Sequence, residues 1–338
     1  MRRWWDSLNI EGPSFGYFPK AIKSYLVVKP GAMEEAKKIF QNTGVKIVDG
    51  GQRDLGAAIG SDHFVRTYLQ NKVTKWKLQI EKIAQIALTH GHAALAAYVF
   101  GQRHRWRFCQ STMRECAPLF APLEQAIRHS LIPNLFGDKN SISDLERALY
   151  SLPGRFGGLA LENPAEESEA RYAESLETTK QLTDLILAGE PKLIIDEGKQ
   201  KSIKAAIKKR RECRLREKAE QIKAQLSKEK QKAMELAQQK GGSCLITTMP
   251  LERYGFAIAG KRDFRDLLRM RYRKPLDHLP SICACGARIS LDHSQKCKRG
   301  GFMHLRHNEG ERLWAYPCSK VFKDVKTEPR LEPIMTKL

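Results

Sequence analysis

"VKIVDGGQRDLGAAIGSDHFVRTYLQNKVTKWKLQIEKIAQIAL", residues Val45 to Leu88, changes its period halfway along. The first part reads as a short strand, a Gly50-Gly51 turn, and a second strand or tight loop carrying Leu55-Gly56. After Asp62 the period lengthens. Val65, Leu69, Val73, Trp76, Ile80, Ile83 and Ile86–Ala87 recur at the three-and-four spacing of an amphipathic helix. Turn chemistry followed by a sustained helical period predicts an α+β chain, with its β-prone pieces confined to the first sixty residues.

Upstream, residues 1–20 read as an amphipathic helix that ends at Gly12-Pro13, followed by an aromatic turn, "SFGYFPK". "KSYLVVKP" (Lys23–Pro30) is a β-prone run closed by proline. "PGAMEEAKKIF" is a helix opened by proline and acidic residues, which suit a helix N-terminus. Downstream, helical patterning continues to Leu187. Ser143-Asp144 caps a helix that stops before Pro153, and a Gly-Gly turn and another helix follow. Residues 199–240 carry fifteen lysines and arginines against five acidic residues, a net of +10. Their weak apolar stripe (Ile203, Ile207, Leu215, Ala219, Ile222, Leu226) has helical spacing and predicts one long basic helix, ended by "KGGS" (Lys240–Ser243). The expected organisation is therefore 1–60 with a short hairpin, 61–190 helical, 191–243 a basic helical connector, and 244–338 a small tail domain.

The 338 residues are 41% hydrophobic, enough for real cores, and carry a formal net charge of +21. Such an excess points to a polyanionic partner, RNA or DNA, with an anionic membrane surface as the competing reading. Against the membrane stands the missing apolar face on 199–240. No run approaches the roughly 18 apolar residues of a span, and the N-terminus lacks a signal-peptide core. Eight scattered cysteines fit reduced thiols better than a disulfide framework, so the expected location is nuclear or cytoplasmic, not secreted.

The tail holds the strongest chemical constellation, "CACGARISLDHSQKCKRGGFMHLRHN" (Cys283–Asn308). Cys283, Cys285, His293 and Cys297 form a Cys3His set, which suits tetrahedral structural zinc, although one residue between the first two cysteines is tighter than usual. His304, His307 and Cys318 are possible substitute ligands. Arg288, Lys296, Lys298 and Arg299 surround the cluster with positive charge. On the basic helix, Lys208, Lys209, Arg210, Arg211, Arg214 and Arg216 are the expected phosphate contacts. "GFAIAGKR" (Gly255–Arg262) fails as a phosphate loop, because Arg262 stands where Ser or Thr is required. His90 and His92 read as capping or packing, and Asp6, Asp49 and Asp54 form no convincing metal pair.

Several segments together resemble the reverse transcriptase of non-LTR retrotransposons that carry a restriction-like endonuclease. "GPSFGYFPKAIKSYLVVK" is similar to the palm lysine motif, with Lys23 at the basic position. "RDLGAAIG" is similar to the Leu-Gly primer grip, matched by Leu55 and Gly56. "SLPGRFGGLALENP" is similar to the segment after the thumb, with Ala160 where the family has glycine. The Cys/His cluster and the stretch Arg306, His307, Asn308 resemble the family's knuckle. The resemblance implies the back of a palm, a thumb, a basic connector and a zinc knuckle. It also implies that Mg would enter only with palm aspartates expected upstream of "RRWWDSLN", and that nuclease carboxylates belong downstream. The expectation is a truncated reverse-transcriptase-like protein that binds RNA or DNA without polymerase activity as this chain. The alternative is a zinc-dependent nucleic-acid-binding module with no polymerase role.

Overall fold

The change of period after Gly60 marks a real change of architecture. In the computed structural model, residues 1–138, 142–189, 192, 194–248, 261–276, 279–299 and 302–326 are described. The chain is mostly helical, with two sheets of two strands each. It divides into two compact units, Met1–Arg273 and Lys274–Leu338. The "GFAIAGKR" reading lies almost wholly outside the described residues.

The first unit opens with α1 (Arg2–Glu11), which stops at Gly12 as expected. Strands β1 (Tyr25–Val27) and β2 (Lys46–Val48) pair in parallel, with α2 (Met33–Ile39) in the connection. Parallel strands need such a crossover, so the helix read from "MEEAKK" makes that pairing possible. A hairpin follows, β3 (Gly51–Asp54) antiparallel to β4 (Ala57–Gly60), with Leu55 and Gly56 as its two-residue turn.

Ser61 then caps α3 (Asp62–Ala87), accepting a hydrogen bond from the Phe64 N–H. Leu69, Val73, Trp76, Ile80, Ala84 and Ala87 form its buried face. Val65 and Ile83 lie at the edge of that face, and Ile86 turns outward, 49% exposed. Against α3 pack α4 (Gly91–Ala96), α6 (Ala121–Ala126) and α7 (Ile132–Phe136), and α5 (Arg107–Thr112) and α8 (Asp144–Ser151) contribute to the same core. Single π-helical turns at Ala97–Gly101 and Ile127–Leu131 interrupt the succession. Phe120, Leu123, Ile127, Leu131 and Ile132 are fully buried. Each contributes about 1.5–3 kcal/mol by leaving water, far more than any surface ion pair. Ser143 caps α8 as read from the sequence.

"SLPGRFGGLALENP" folds into a tight return beneath α8. A Cβ on Gly158 would lie 1.9 Å from the Leu152 carbonyl oxygen, so only glycine fits there. Ala160 sits at φ +58, the left-handed region that glycine tolerates best. Helix α9 (Pro164–Leu187) follows, capped by Asn163.

The basic block departs from the single helix expected. It forms α10 (Glu197–Gln225) and α11 (Lys228–Gln238), broken at Leu226-Ser227, where Ser227 caps the second helix. Nor does it stand apart as a connector. Ala219, Ile222, Leu226 and Met234 join the core built by α3–α8. The short α12 (Cys244–Thr247) and α13 (Lys261–Arg271) also belong to this unit, with Phe264, Leu268 and Tyr272 buried in the same core. Tyr272 meets Phe136 and Tyr150 edge-on.

The second unit contains a small hairpin around the Ile282–Arg288 bridge, then α14 (Leu291–Lys296) and α15 (Phe302–Val321).

Candidate functional site

The tail cluster closes through two local devices. At the hairpin, the Cys283 N–H donates to the Ala287 carbonyl and the Gly286 N–H donates to the Cys283 carbonyl. Gly286 takes φ +87, which a side chain would resist. This turn accommodates the one-residue Cys-x-Cys spacing, because the chain doubles back between the two thiols. Ser290 then caps α14 through the His293 N–H, and the Cys297 N–H donates to the His293 carbonyl. His293 and Cys297 thus stand one helical turn apart and project to the same side.

The four ligand atoms lie within 4.8 Å of one another. Cys283 Sγ is 3.6 Å from Cys297 Sγ, and Cys285 Sγ is 3.3 Å from His293 Nε2. Around tetrahedral zinc, two sulfurs stand about 3.8 Å apart, and a sulfur and a nitrogen about 3.5 Å. The donor set and its spacing fit a metal ion. The Cys285 amide favours the Cys283 thiolate, but desolvation and the neighbouring Cys297 and Cys285 thiols outweigh it and raise the Cys283 pKa. His304, His307 and Cys318, offered as substitutes, lie on α15 and outside the group of four. Arg288, Lys296, Lys298 and Arg299 are exposed around the cluster, as are Arg306, His307 and Asn308 on α15, where His307 lies 3.8 Å from Glu311.

The cations of the basic helix divide into a paired set facing α9 and an unpaired set around the rest of its circumference. Arg210 pairs with Glu177 and Arg211 with Glu174, while Arg214 reaches Glu167 at 3.2 Å and Lys218 reaches Glu166 at 3.0 Å. Every one of these glutamates belongs to α9, so α9 and α10 form an antiparallel pair joined by a row of charges. Three of the six expected phosphate contacts are therefore already engaged. Lys208, Lys209 and Arg216 are exposed, as are Lys199 and Lys204, with no carboxylate within 4 Å among the described residues.

Leu55 and Gly56 form the tip of the β3–β4 hairpin. Leu55 is 91% exposed and sits at φ +44, with Gly56 at φ +96. Two successive positive φ values mark a type I′ turn, which favours Asn-Gly and resists leucine. Tyr68 Oη donates to the Gly56 carbonyl at 2.8 Å, and the Phe108 ring lies against Gly56. Lys23 is exposed at the end of a 3₁₀ turn before β1. His92 is buried, stacked on Phe264 at 5.0 Å with Nε2 3.0 Å from the Thr248 carbonyl, a packing role as expected. Burial holds its pKa below the ordinary value, against the Thr248 hydrogen bond.

A second charged assembly has no counterpart in the expected sites. Glu162 is shared by three arginines: Arg171 at 2.6 Å, Arg107 at 3.1 Å and Arg103 at 3.5 Å. Burial opposes ionisation of Glu162, but Arg171, Arg107 and Arg103 outweigh it and hold its carboxyl below the usual range. Next to it, Arg147 forks onto Glu124 and donates to the Leu161 carbonyl at 2.7 Å. The alternation of arginines in "QRHRWRF" (Gln102–Phe108), with Trp106 buried and Arg103 and Arg107 half-buried, is the available sequence signal. Its counter-charge comes from Glu162, 55 residues beyond Arg107, which no local pattern reveals.

No protein-family model, no curated protein and no solved structure matches this chain.

Proposed function

We propose that this chain is a nucleic-acid-binding protein related to the reverse transcriptases it resembles, with a tail module built around structural zinc. One observation carries the reading. After every ion pair of α10 is counted, Lys199, Lys204, Lys208, Lys209 and Arg216 still face outward without a carboxylate among the described residues. Unneutralised cations spread around a rigid helix neutralise backbone phosphates and release their counterions. The chain's +21 charge acts in the same direction.

What favours the reverse-transcriptase-like reading over a free-standing zinc module is the β3–β4 hairpin. It lies between α2 and α3, packs toward the helical core through Ala57 and Ala58, and presents Leu55 at its tip. In this reading residues 1–60 descend from a palm and the helices after Ser61 from a thumb. In the tail, zinc held by Cys283, Cys285, His293 and Cys297 would supply fold stability rather than a reactive water, since four protein donors close the coordination sphere.

The test is fluorescence anisotropy with a labelled single-stranded oligonucleotide and its duplex, titrated from 50 to 400 mM KCl. The expected result is a logarithmic affinity that falls linearly with the logarithm of salt, with a slope reduced in K208A/K209A/R216A. Absence of binding at 50 mM salt overturns the reading.

A further inference from the structure

The Glu162 assembly is over-supplied with positive charge. Arg103, Arg107 and Arg171 converge on one carboxylate, and the second candidate, Glu167, lies 3.9 Å from Arg171 but 3.2 Å from Arg214. The Nε atoms of Arg103, Arg107 and Arg171 are buried and find no hydrogen-bond partner among the described residues. With one carboxylate among three guanidiniums, the assembly keeps a positive field that a further anion at its exposed edge would offset. The side chains are not sealed off: Arg107 is 31% exposed and Arg103 18%. His104, between Arg103 and Arg107 in sequence, has a pKa lowered chiefly by burial and further by Arg107 and Arg103. The assembly also has an aromatic neighbour. Phe108 follows Arg107 in sequence and is 46% exposed, and a Cβ on Gly56 would lie 3.7 Å from its ring, beside a turn whose leucine projects into solvent.

We propose that Arg103, Arg107 and Arg171 around Glu162 form an oxyanion site that takes one backbone phosphate of a bound nucleic-acid strand, beside Phe108, whose exposed ring stacks a base. The inference rests on the nucleic-acid reading above and names the surface that reading lacks. Arginine supplies the forked donors that phosphate geometry matches, and Glu162 holds the forks apart while leaving net positive charge. The exposed aromatic supplies the stacking that single strands use.

The experiment uses the full chain, with R107Q, R107K, E162Q and F108A as variants and circular dichroism to confirm folding. The first readout is thermal protection by inorganic phosphate against chloride at equal ionic strength. Protection is expected in wild type, and its loss is expected in R107Q. The second is anisotropy with a single-stranded 20-mer. R107Q is expected to bind about tenfold more weakly with a salt slope lower by about 1, R107K to recover only part of this, and E162Q to bind more tightly. F108A is expected to weaken the single strand and leave duplex binding unchanged. If wild type binds the oligonucleotide with a salt slope but R107Q matches it in affinity and slope, the site is refuted and the general nucleic-acid reading stands. If phosphate protects wild type and R107Q equally, the site is refuted as well. If phosphate protection depends on Arg107 but no oligonucleotide binds, the phosphate pocket stands and both the nucleic-acid reading and the strand assignment fall.

Discussion

Replacing Leu55 by asparagine should make this protein more stable while weakening the function assigned to it. Leu55 occupies the first central position of a two-residue hairpin turn at φ +44, and it is 91% exposed. The left-handed region costs an L-residue with a bulky side chain roughly 1–2 kcal/mol, and asparagine recovers much of that through its compact side chain. Because the leucine side chain is in solvent, its removal sacrifices almost no burial. The neighbouring constraints, Gly56 at φ +96 and the Tyr68 hydrogen bond to the Gly56 carbonyl, are untouched. The net gain is therefore about 1 kcal/mol. For a unit of the size of Met1–Arg273 this raises the midpoint by about 2–4 °C. Thermal unfolding of L55N and wild type, followed by circular dichroism at 222 nm, measures it. A lowered midpoint would mean that Leu55 is packed or that its backbone is not left-handed, and the reasoning fails. If oligonucleotide affinity drops in the same variant, the strained leucine is retained for contact rather than for folding.

Four further outcomes follow from the same structure. The native, reduced protein should contain about one zinc per chain. Chelation should raise amide exchange across 281–299, and unchanged exchange there would remove the metal from the module. E174Q/E177Q, which releases Arg210 and Arg211 from α9, should tighten oligonucleotide binding severalfold, and an unchanged affinity would show that this face never meets phosphate. Truncating Arg147 to alanine leaves Glu124 uncompensated beside the buried Leu161 carbonyl and should cost about 3–5 kcal/mol in urea unfolding; a loss under 1 kcal/mol contradicts the burial of that pair. Glu162 has a folded pKa below its ordinary 4.5, so its stabilisation is complete above that value and is lost as pH falls through the folded pKa. Acid titration of E162Q should accordingly show a shallower loss of stability below pH 4.5 than wild type, and parallel curves would refute the assignment.

Local rules were readable in the sequence wherever neighbours along the chain decide the outcome. The α3 stripe from Leu69 to Ile80, the Ser143 cap and the stop before Pro153 are of this kind, since each depends on residues a turn or two apart. The Cys/His quartet was legible for the same reason, and the hairpin at Gly286 accounts for its tight Cys-x-Cys spacing. Partners far along the chain were not legible. The parallel match of Tyr25–Val27 with Lys46–Val48 depends on a crossover, and the α9–α10 charge row joins residues 33 to 52 positions apart. Reading α10 alone, Arg210, Arg211 and Arg214 look like free cations. Only the fold shows that glutamates already stand where phosphates were expected. The break at Leu226-Ser227 was missed because the charged residues continue across it, while the decisive feature, Leu226 turning into the core, is tertiary.

All four donors of the metal cluster come from the fifteen residues Cys283–Cys297, and this has a kinetic consequence. Closing so short a loop carries a small entropic cost and takes well under a microsecond. The six-residue helix is too short to persist in water unaided, so if the cluster takes a metal, capture and local ordering would be one event. Every ligand that such a metal would need is present once Cys297 has been made. The ordering of this segment would then follow the supply of metal.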